Sequence, residues 1–378
     1  MNIYDSRLEE LAATGNLRRI PDDTTMCDIV DLSSNDYLGL GSRDNLRQEF
    51  LSNPSTQKLS FTSSASRLLA AAQDEYHSLE SELSILYKGR AALLFNSGYH
   101  ANTGIISALA SENSTLILAD KLVHASIIDG IMLSKAPWQR FVHNDMNRLE
   151  NILKKEHERY DRIIIVVESV YSMDGDRADL NQLIALKRRY PKAMLYVDEA
   201  HAVGVLGPKG TGACMDTDAF EEIDVVVGTF GKALASVGAY CITDPYIHNY
   251  LINRSRSLIF STALPPICCS WTRKILHHSA NMTKERKHLA SLCHRLACGL
   301  TDLGCEINPS HIMPYITHSA TLATDLSQKL FAEGFKVLPI RTPTVPPGTE
   351  RLRISLSAAL TTDDIDRFIA SLNKAING

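Results

Sequence analysis

From about residue 42 to about residue 262 the chain alternates short apolar runs with stretches of helical period. The runs are Ala91-Ala-Leu-Leu-Phe95, Thr115-Leu-Ile-Leu118, Arg162-Ile-Ile-Ile-Val-Val167, Ala193-Met-Leu-Tyr-Val197, Asp224-Val-Val-Val227 and Gly238-Ala-Tyr-Cys-Ile242. Each is too short for a core helix and too continuously apolar for a strand with one wet face, which predicts strands buried on both sides. Strands of that kind joined by helical connections give an α/β fold, a mostly parallel sheet with helices on both faces. Ahead of this region the pattern predicts a short amphipathic helix over 4–17 and an irregular stretch ending in Ser33-Ser-Asn-Asp-Tyr-Leu-Gly39. After Pro265-Pro266 a long helical stretch runs toward Leu300. A smaller α+β unit follows, with strands near 311–316 and 352–355 and a closing helix over 362–372. The expected division is an N-terminal segment, 1–41, a large domain, 42–270, and a small C-terminal domain, 271–378.

Composition narrows the class of molecule. With 378 residues, 44% apolar and 22% charged, the chain can bury a large core. A net charge of -4 gives no general electrostatic case for nucleic acid or an anionic membrane. The first ten residues lack a charged start followed by an apolar core, and no apolar run is long enough to span a bilayer, so a cytoplasmic protein is expected. Eight cysteines are scattered without zinc or redox spacing, and His277-His278 has no accompanying ligand cluster, so no metal is expected.

Candidate chemistry lies where the apolar runs end. Asp224-Val-Val-Val-Gly-Thr-Phe-Gly-Lys232 carries a glycine-flanked lysine just past a buried strand, the position of a Schiff-base lysine, although most such lysines are solvated loop residues. Asp198 follows the run 193–197 and so projects from the carboxyl end of a central strand, where open α/β sheets bind ligands. A carboxylate buried there needs a cationic partner, and the protonated ring nitrogen of pyridoxal phosphate (PLP) supplies one. Asn96-Ser-Gly-Tyr-His100 joins a strand to a helix, so Ser97, Gly98 and Tyr99 form a plausible anion cradle; strand-Gly-helix junctions also arise for packing alone. Thr229 can add a hydroxyl to the same phosphate or make a strand-end hydrogen bond. His124 suits either a helix cap or a ring stacked on the cofactor face. Ser172 can reach the cofactor's phenolic oxygen, and His201 follows Asp198 closely enough to share its task.

Taken together in this order, the motifs Ser33-Ser-Asn-Asp-Tyr-Leu-Gly-Leu40, Gly98-Tyr99, His124-Ala-Ser126, Ser172-Met-Asp-Gly-Asp176, Asp198-Glu-Ala-His201, Thr229-Phe-Gly-Lys232, Ser261-Thr-Ala-Leu-Pro-Pro266 and Arg351-Leu-Arg353 resemble the fold-type I PLP enzymes, and more narrowly the α-oxoamine synthases. The resemblance covers nearly the whole chain. It implies a large domain with a mostly parallel seven-stranded sheet, Lys232, His124 and Asp198 in catalysis, and Ser97, Gly98, Tyr99, Ser172, His201, Thr229 and Thr262 around PLP, with Thr262 reaching the phosphate of a neighbouring subunit in a homodimer with shared active sites. It further implies Arg353 on the amino acid's carboxylate, and Arg18 and Thr344 on the acyl substrate. The segment Ile340-Arg-Thr-Pro-Thr-Val-Pro-Pro-Gly-Thr349 points to a member that condenses L-alanine with a pimeloyl thioester, carried by coenzyme A (pimeloyl-CoA) or acyl carrier protein (pimeloyl-ACP). A sister synthase using glycine with a short acyl-CoA, a serine palmitoyltransferase and a non-catalytic subunit of the same fold are the alternatives. Two departures from the family pattern stand out: a usually glycine-rich loop reads Phe61-Thr-Ser-Ser-Ala-Ser-Arg67 followed by Ala70-Ala-Ala-Gln73, predicting a different turn or a more helical path, and Glu199 replaces an aspartate.

Overall fold

The computed structural model describes residues 2–18, 20, 29–71, 73–110 and 114–377. Its contacts group the chain into two units: Gly39–Tyr171 with Arg177–Thr283, and Met1–Leu38 with Ser172–Asp176 and Lys284–Gly378.

The larger unit is built on seven strands: β1 (Ala91–Phe95), β2 (Thr115–Asp120), β3 (Trp138–Phe141), β4 (Arg162–Glu168), β5 (Ala193–Asp198), β6 (Val225–Thr229) and β7 (Ala239–Thr243). They lie in the order β1-β7-β6-β5-β4-β2-β3. The strands β2 to β6 pair in parallel, whereas β7 runs antiparallel to both of its neighbours. The reversal follows from the short link between β6 and β7, since strands joined by a tight loop pair antiparallel. Phe230 N–H donates to the Gly238 carbonyl at 2.9 Å and closes that loop, which carries Lys232. Every residue of β2 is buried, as are the last six of β4, which explains their uninterrupted apolar runs. The strand β3 has no such run. It is an edge strand whose Gln139 and Arg140 are exposed, and so it gave no apolar signal in the sequence.

The parallel strands end in buried polar residues: Asp120 on β2, Glu168 on β4, Asp198 on β5 and Thr229 on β6. Two helices cover this end, Gly98–Leu109 and Ala125–Ser134. They cross at Gly130, where an added Cβ would lie 2.8 Å from the Asn102 carbonyl oxygen and 3.1 Å from the Thr103 Cα. No larger residue fits there without moving a backbone.

In the smaller unit, β8 (Ile312–Ile316), β9 (Leu338–Ile340) and β10 (Arg351–Ser355) form an antiparallel sheet of order β9-β10-β8. Val30–Asp31 pairs in parallel with Phe335–Lys336. The helix Thr283–Asp302 buries Leu289, Leu292, Leu296 and Leu300, and Thr362–Asn377 buries Ile365, Phe368 and Leu372, both at helical spacing. The long helical stretch expected after Pro266 is two helices, Pro266–Ala280 and Thr283–Asp302. The first helix spans Ile3–Ala13 and buries none of its residues, so it is shorter than expected. Among the described residues no helix is long and apolar enough to cross a membrane.

Candidate active site

Lys232 lies in the loop between β6 and β7, its carbonyl accepting from Ala235 N–H at 2.9 Å. Its Nζ lies 2.8 Å from Nε2 of His201. His201 is 4% exposed and sits in the turn that leaves β5. Asp198, at the end of β5, is 5% exposed. One of its oxygens accepts Ala200 N–H at 2.8 Å, and the other accepts Asn102 Nδ2 at 2.7 Å. On the neighbouring strand, in register with Asp198, Glu168 is buried with Oε1 unpartnered. Burial, together with the Asp198 charge, pushes its carboxyl well above the usual range.

His124 caps the helix Ala125–Ser134, the capping role that its sequence context allowed. Its Nδ1 accepts Ser126 N–H at 3.2 Å and lies 2.7 Å from Ser126 Oγ. Part of the ring meets solvent. Low-dielectric surroundings nonetheless hold the imidazole below the ordinary histidine range; Lys232 pushes the same way, while Asp198 opposes it.

The helix Gly98–Leu109 starts three residues earlier than the sequence suggested. Ser97 is its cap: Oγ accepts His100 N–H at 3.2 Å and lies 2.8 Å from the His100 ring Nδ1. Ser97 is thus occupied locally, while the Gly98 and Tyr99 N–H groups stand ahead of the first intrahelical bond, Ala101 N–H to the Ser97 carbonyl. An added Cβ at Gly98 would come within 3.9 Å of Thr229 Cβ, so the helix start and the end of β6 adjoin. Thr229 Oγ1 donates to the Gly238 carbonyl at 3.1 Å and accepts Gly231 N–H at 3.3 Å, the strand-end pattern. Tyr99 is half exposed, its hydroxyl bonded to Asp129. Thr262 bridges Ser66 in antiparallel fashion, and its carbonyl accepts Asn96 Nδ2 at 2.6 Å. In the loop that lacks the expected glycines, Ser64 takes the positive φ, +50°, and Gln73 Nε2 ties the following turn by donating to the Arg67 and Ala70 carbonyls. Ala72 lies outside the described residues, as does Arg19.

The smaller unit holds two further pairings, Arg353 with Ser172 and Arg18 with Thr344. Arg353, on β10, is 3% exposed. Its Nε donates to the Ser172 carbonyl at 2.6 Å, Nη1 to Ser355 Oγ at 2.7 Å and Nη2 to Asn35 Oδ1 at 3.1 Å, with a longer contact of 3.5 Å to the Tyr37 hydroxyl. Burial raises Tyr37 to about 12, against the pull of Arg353, so it stays a neutral phenol. Asn35 and Tyr37 come from the Ser33–Leu40 motif, which thereby acquires a purpose. Arg18 Nη2 donates to Thr344 Oγ1 at 2.8 Å, and Arg341 Nη1 donates to the Gly15 carbonyl at 2.5 Å.

Sequence reasoning passed over Asn102, Ser126, Tyr196 and Glu168. A polar residue inside the buried helix segment Ala101-Asn-Thr-Gly-Ile-Ile106 was the available signal for Asn102. Among the described residues no cluster of His, Cys, Asp and Glu could hold a metal ion.

The family model for class I and II aminotransferases matches residues 27–372. The chain belongs to this family. Its relatives place it among the α-oxoamine synthases, with the type I PLP-dependent transferase fold. It is 47% identical to a protein of Pasteurella multocida over 98% of both chains, and 47% identical to one of Haemophilus influenzae over 98% of this chain and all of that one. Both carry the provisional name 8-amino-7-oxononanoate synthase. Among solved structures, the 8-amino-7-oxononanoate synthase of Francisella tularensis superposes with a TM-score of 0.79 at 31% identity, covering 94% of this chain and 98% of the other. A serine palmitoyltransferase from S. paucimobilis with bound PLP–myriocin superposes with a TM-score of 0.89 at 28% identity, covering 98% and 96%.

Proposed function

We propose that this α-oxoamine synthase is an 8-amino-7-oxononanoate synthase, which joins L-alanine to a pimeloyl thioester with release of carbon dioxide and the carrier thiol. Its residues suit PLP. The Gly98 and Tyr99 N–H groups are open to an anion at a helix start where glycine leaves room beside Thr229. Asp198 is a buried carboxylate at a strand end, and Lys232 is a lysine in reach of an imidazole. Bound there, PLP supplies an electron sink for negative charge at the amino acid's Cα.

Each side chain then has a task. Asp198 holds a proton on the ring nitrogen. Lys232 Nζ, steered by His201, takes the Cα proton of alanine. His124 would help to hold the cofactor and orient the reacting groups, and Ser172 would add a hydrogen bond to it. Arg353 presents a guanidinium fork to the alanine carboxylate, which displaces the long contact to Tyr37. Removing the proton from Cα lets that carbon attack the thioester carbonyl, the carrier sulfur departs as the thiol, and the carboxylate leaves as carbon dioxide. The carrier is coenzyme A or acyl carrier protein. The active form is a homodimer in which Thr262 serves the neighbouring site, and the protein is cytoplasmic.

The observation that carries the acyl assignment is the 2.8 Å hydrogen bond from Arg18 to Thr344. It joins two residues 326 positions apart in sequence that the family likeness assigns to the acyl substrate. Truncating Arg18→Ala therefore raises KM for pimeloyl-CoA by about 10-fold, the worth of one charge-assisted hydrogen bond, with the KM for alanine little changed. A rise in the alanine KM with that of the acyl donor unmoved would refute the assignment.

A further inference from the structure

Five side chains at the end of the larger unit's sheet form one branched hydrogen-bond chain. Tyr196 OH donates to Asn102 Oδ1 at 2.6 Å, and Asn102 Nδ2 lies 2.7 Å from Asp198 Oδ2 and 2.9 Å from Ser126 Oγ. Ser126 Oγ in turn lies 2.7 Å from His124 Nδ1. A carboxylate only accepts, so Asp198 fixes which end of the Asn102 amide faces it, and the Tyr196 hydroxyl then has an acceptor at the other end. Ser126 Oγ accepts from Asn102, which turns its own proton toward His124. His124 Nδ1 also faces Ser126 N–H at 3.2 Å. Two donors on Nδ1 leave the ring proton on Nε2. Asn102, Ser126 and Tyr196 are 2%, 0% and 1% exposed, so water does not complete the bonds among them and to Asp198, while His124 stands at the exposed end.

We propose that Asn102 is a positioning residue that couples Asp198 to His124: one N–H aims the carboxylate, and the other, through Ser126, fixes His124 as the Nε2–H tautomer. The inference rests on the functional reading above in assigning Asp198 and His124 to the cofactor. The close crossing at Gly130, one helical turn after Ser126, brings the serine to Asn102. The two arms are separable. Asn102→Ala removes both, Ser126→Ala removes the His124 arm alone, and Tyr196→Phe removes the hydroxyl that, with Asp198, holds the amide in its orientation.

The test measures two things on the full chain. Histidine-selective 15N NMR, with the His124 signal identified by its loss in His124→Gln, reads the tautomer and needs no cofactor. The PLP-loaded protein gives the cofactor's dissociation rate and absorption maximum. The expected result is a His124 signal of the Nε2–H form in the wild type, shifted to a tautomer mixture in both Asn102→Ala and Ser126→Ala. PLP loss should accelerate about 10-fold or more in Asn102→Ala, with a moved absorption maximum, and less than 2-fold in Ser126→Ala. If Asn102→Ala fails to fold, Ser126→Ala and Tyr196→Phe carry the same test, Tyr196→Phe showing both changes in weaker form. An unchanged tautomer in folded Ser126→Ala, or unchanged PLP loss in folded Asn102→Ala or Tyr196→Phe, overturns the coupling. A wild type that takes up no PLP overturns the functional reading and the cofactor half of the proposal, and the NMR arm then shows whether the hydrogen-bond chain itself exists.

Discussion

At the residue scale, the sequence pointed to the side chains that sit where parallel strands stop, because an apolar run followed by a polar residue marks a strand's carboxyl end. Asp198 and Thr229 were legible in that way. Asn102 was not, since an asparagine next to a threonine reads as a helix's wet face until packing shows both buried. Glu199 was legible only as a departure, a glutamate in place of an aspartate. It is fully buried, accepts Cys214 N–H at 3.0 Å and faces Gly212, where a Cβ would come within 2.1 Å of its Oε2. Burial raises its pKa from 4.5 to about 7. Below about pH 4.5 folded and unfolded chains both hold this proton. Between 4.5 and 7 the unfolded chain releases it while the folded chain keeps it, so this group's contribution to stability falls as pH rises and levels off above 7. Glu199→Gln removes that slope. The variant should gain stability over the wild type on going from pH 5 to pH 8, by up to roughly 3 kcal/mol, in urea unfolding at the two pH values. Equal differences at both pH values would contradict a raised carboxyl.

At the element scale, all six strands expected in the larger unit begin within one residue of where they lie, and the first, Ala91–Phe95, matches at both ends. Buried strands announce themselves through continuous apolar runs. The edge strand Trp138–Phe141 and the short β9 did not, because a strand with exposed positions or only three residues leaves too little pattern. The helix crossing at Gly130 was equally silent. It sets a prediction in which two effects oppose: alanine for glycine in a helix is worth roughly 0.5–1 kcal/mol of stability, while a Cβ 2.8 Å from a backbone oxygen forces a shift costing about 1–3 kcal/mol. The clash is the larger, so Gly130→Ala should lower the urea midpoint. A raised midpoint would mean that the helices part freely.

At the scale of the whole molecule, the sequence revealed the α/β class and both groups of candidate residues, but not how the chain is shared between units. Residues 172–176 join the smaller unit by contact, as does the N-terminal segment, although neither adjoins it in sequence. Hydrophobic periodicity is local and carries no record of such long-range pairings, among them Arg353 with Ser172 and Arg18 with Thr344. The functional account reduces to a choice of substrates and one lysine. The direct measurement is mass spectrometry of the PLP-loaded protein supplied with carboxyl-13C-labelled L-alanine and pimeloyl-CoA, alongside glycine with acetyl-CoA and the Lys232→Ala variant. The account predicts labelled carbon dioxide and 8-amino-7-oxononanoate from the alanine pair, little from the glycine pair, and at least about a thousandfold less from Lys232→Ala. Product from glycine and acetyl-CoA alone, or undiminished turnover without Lys232, would contradict it.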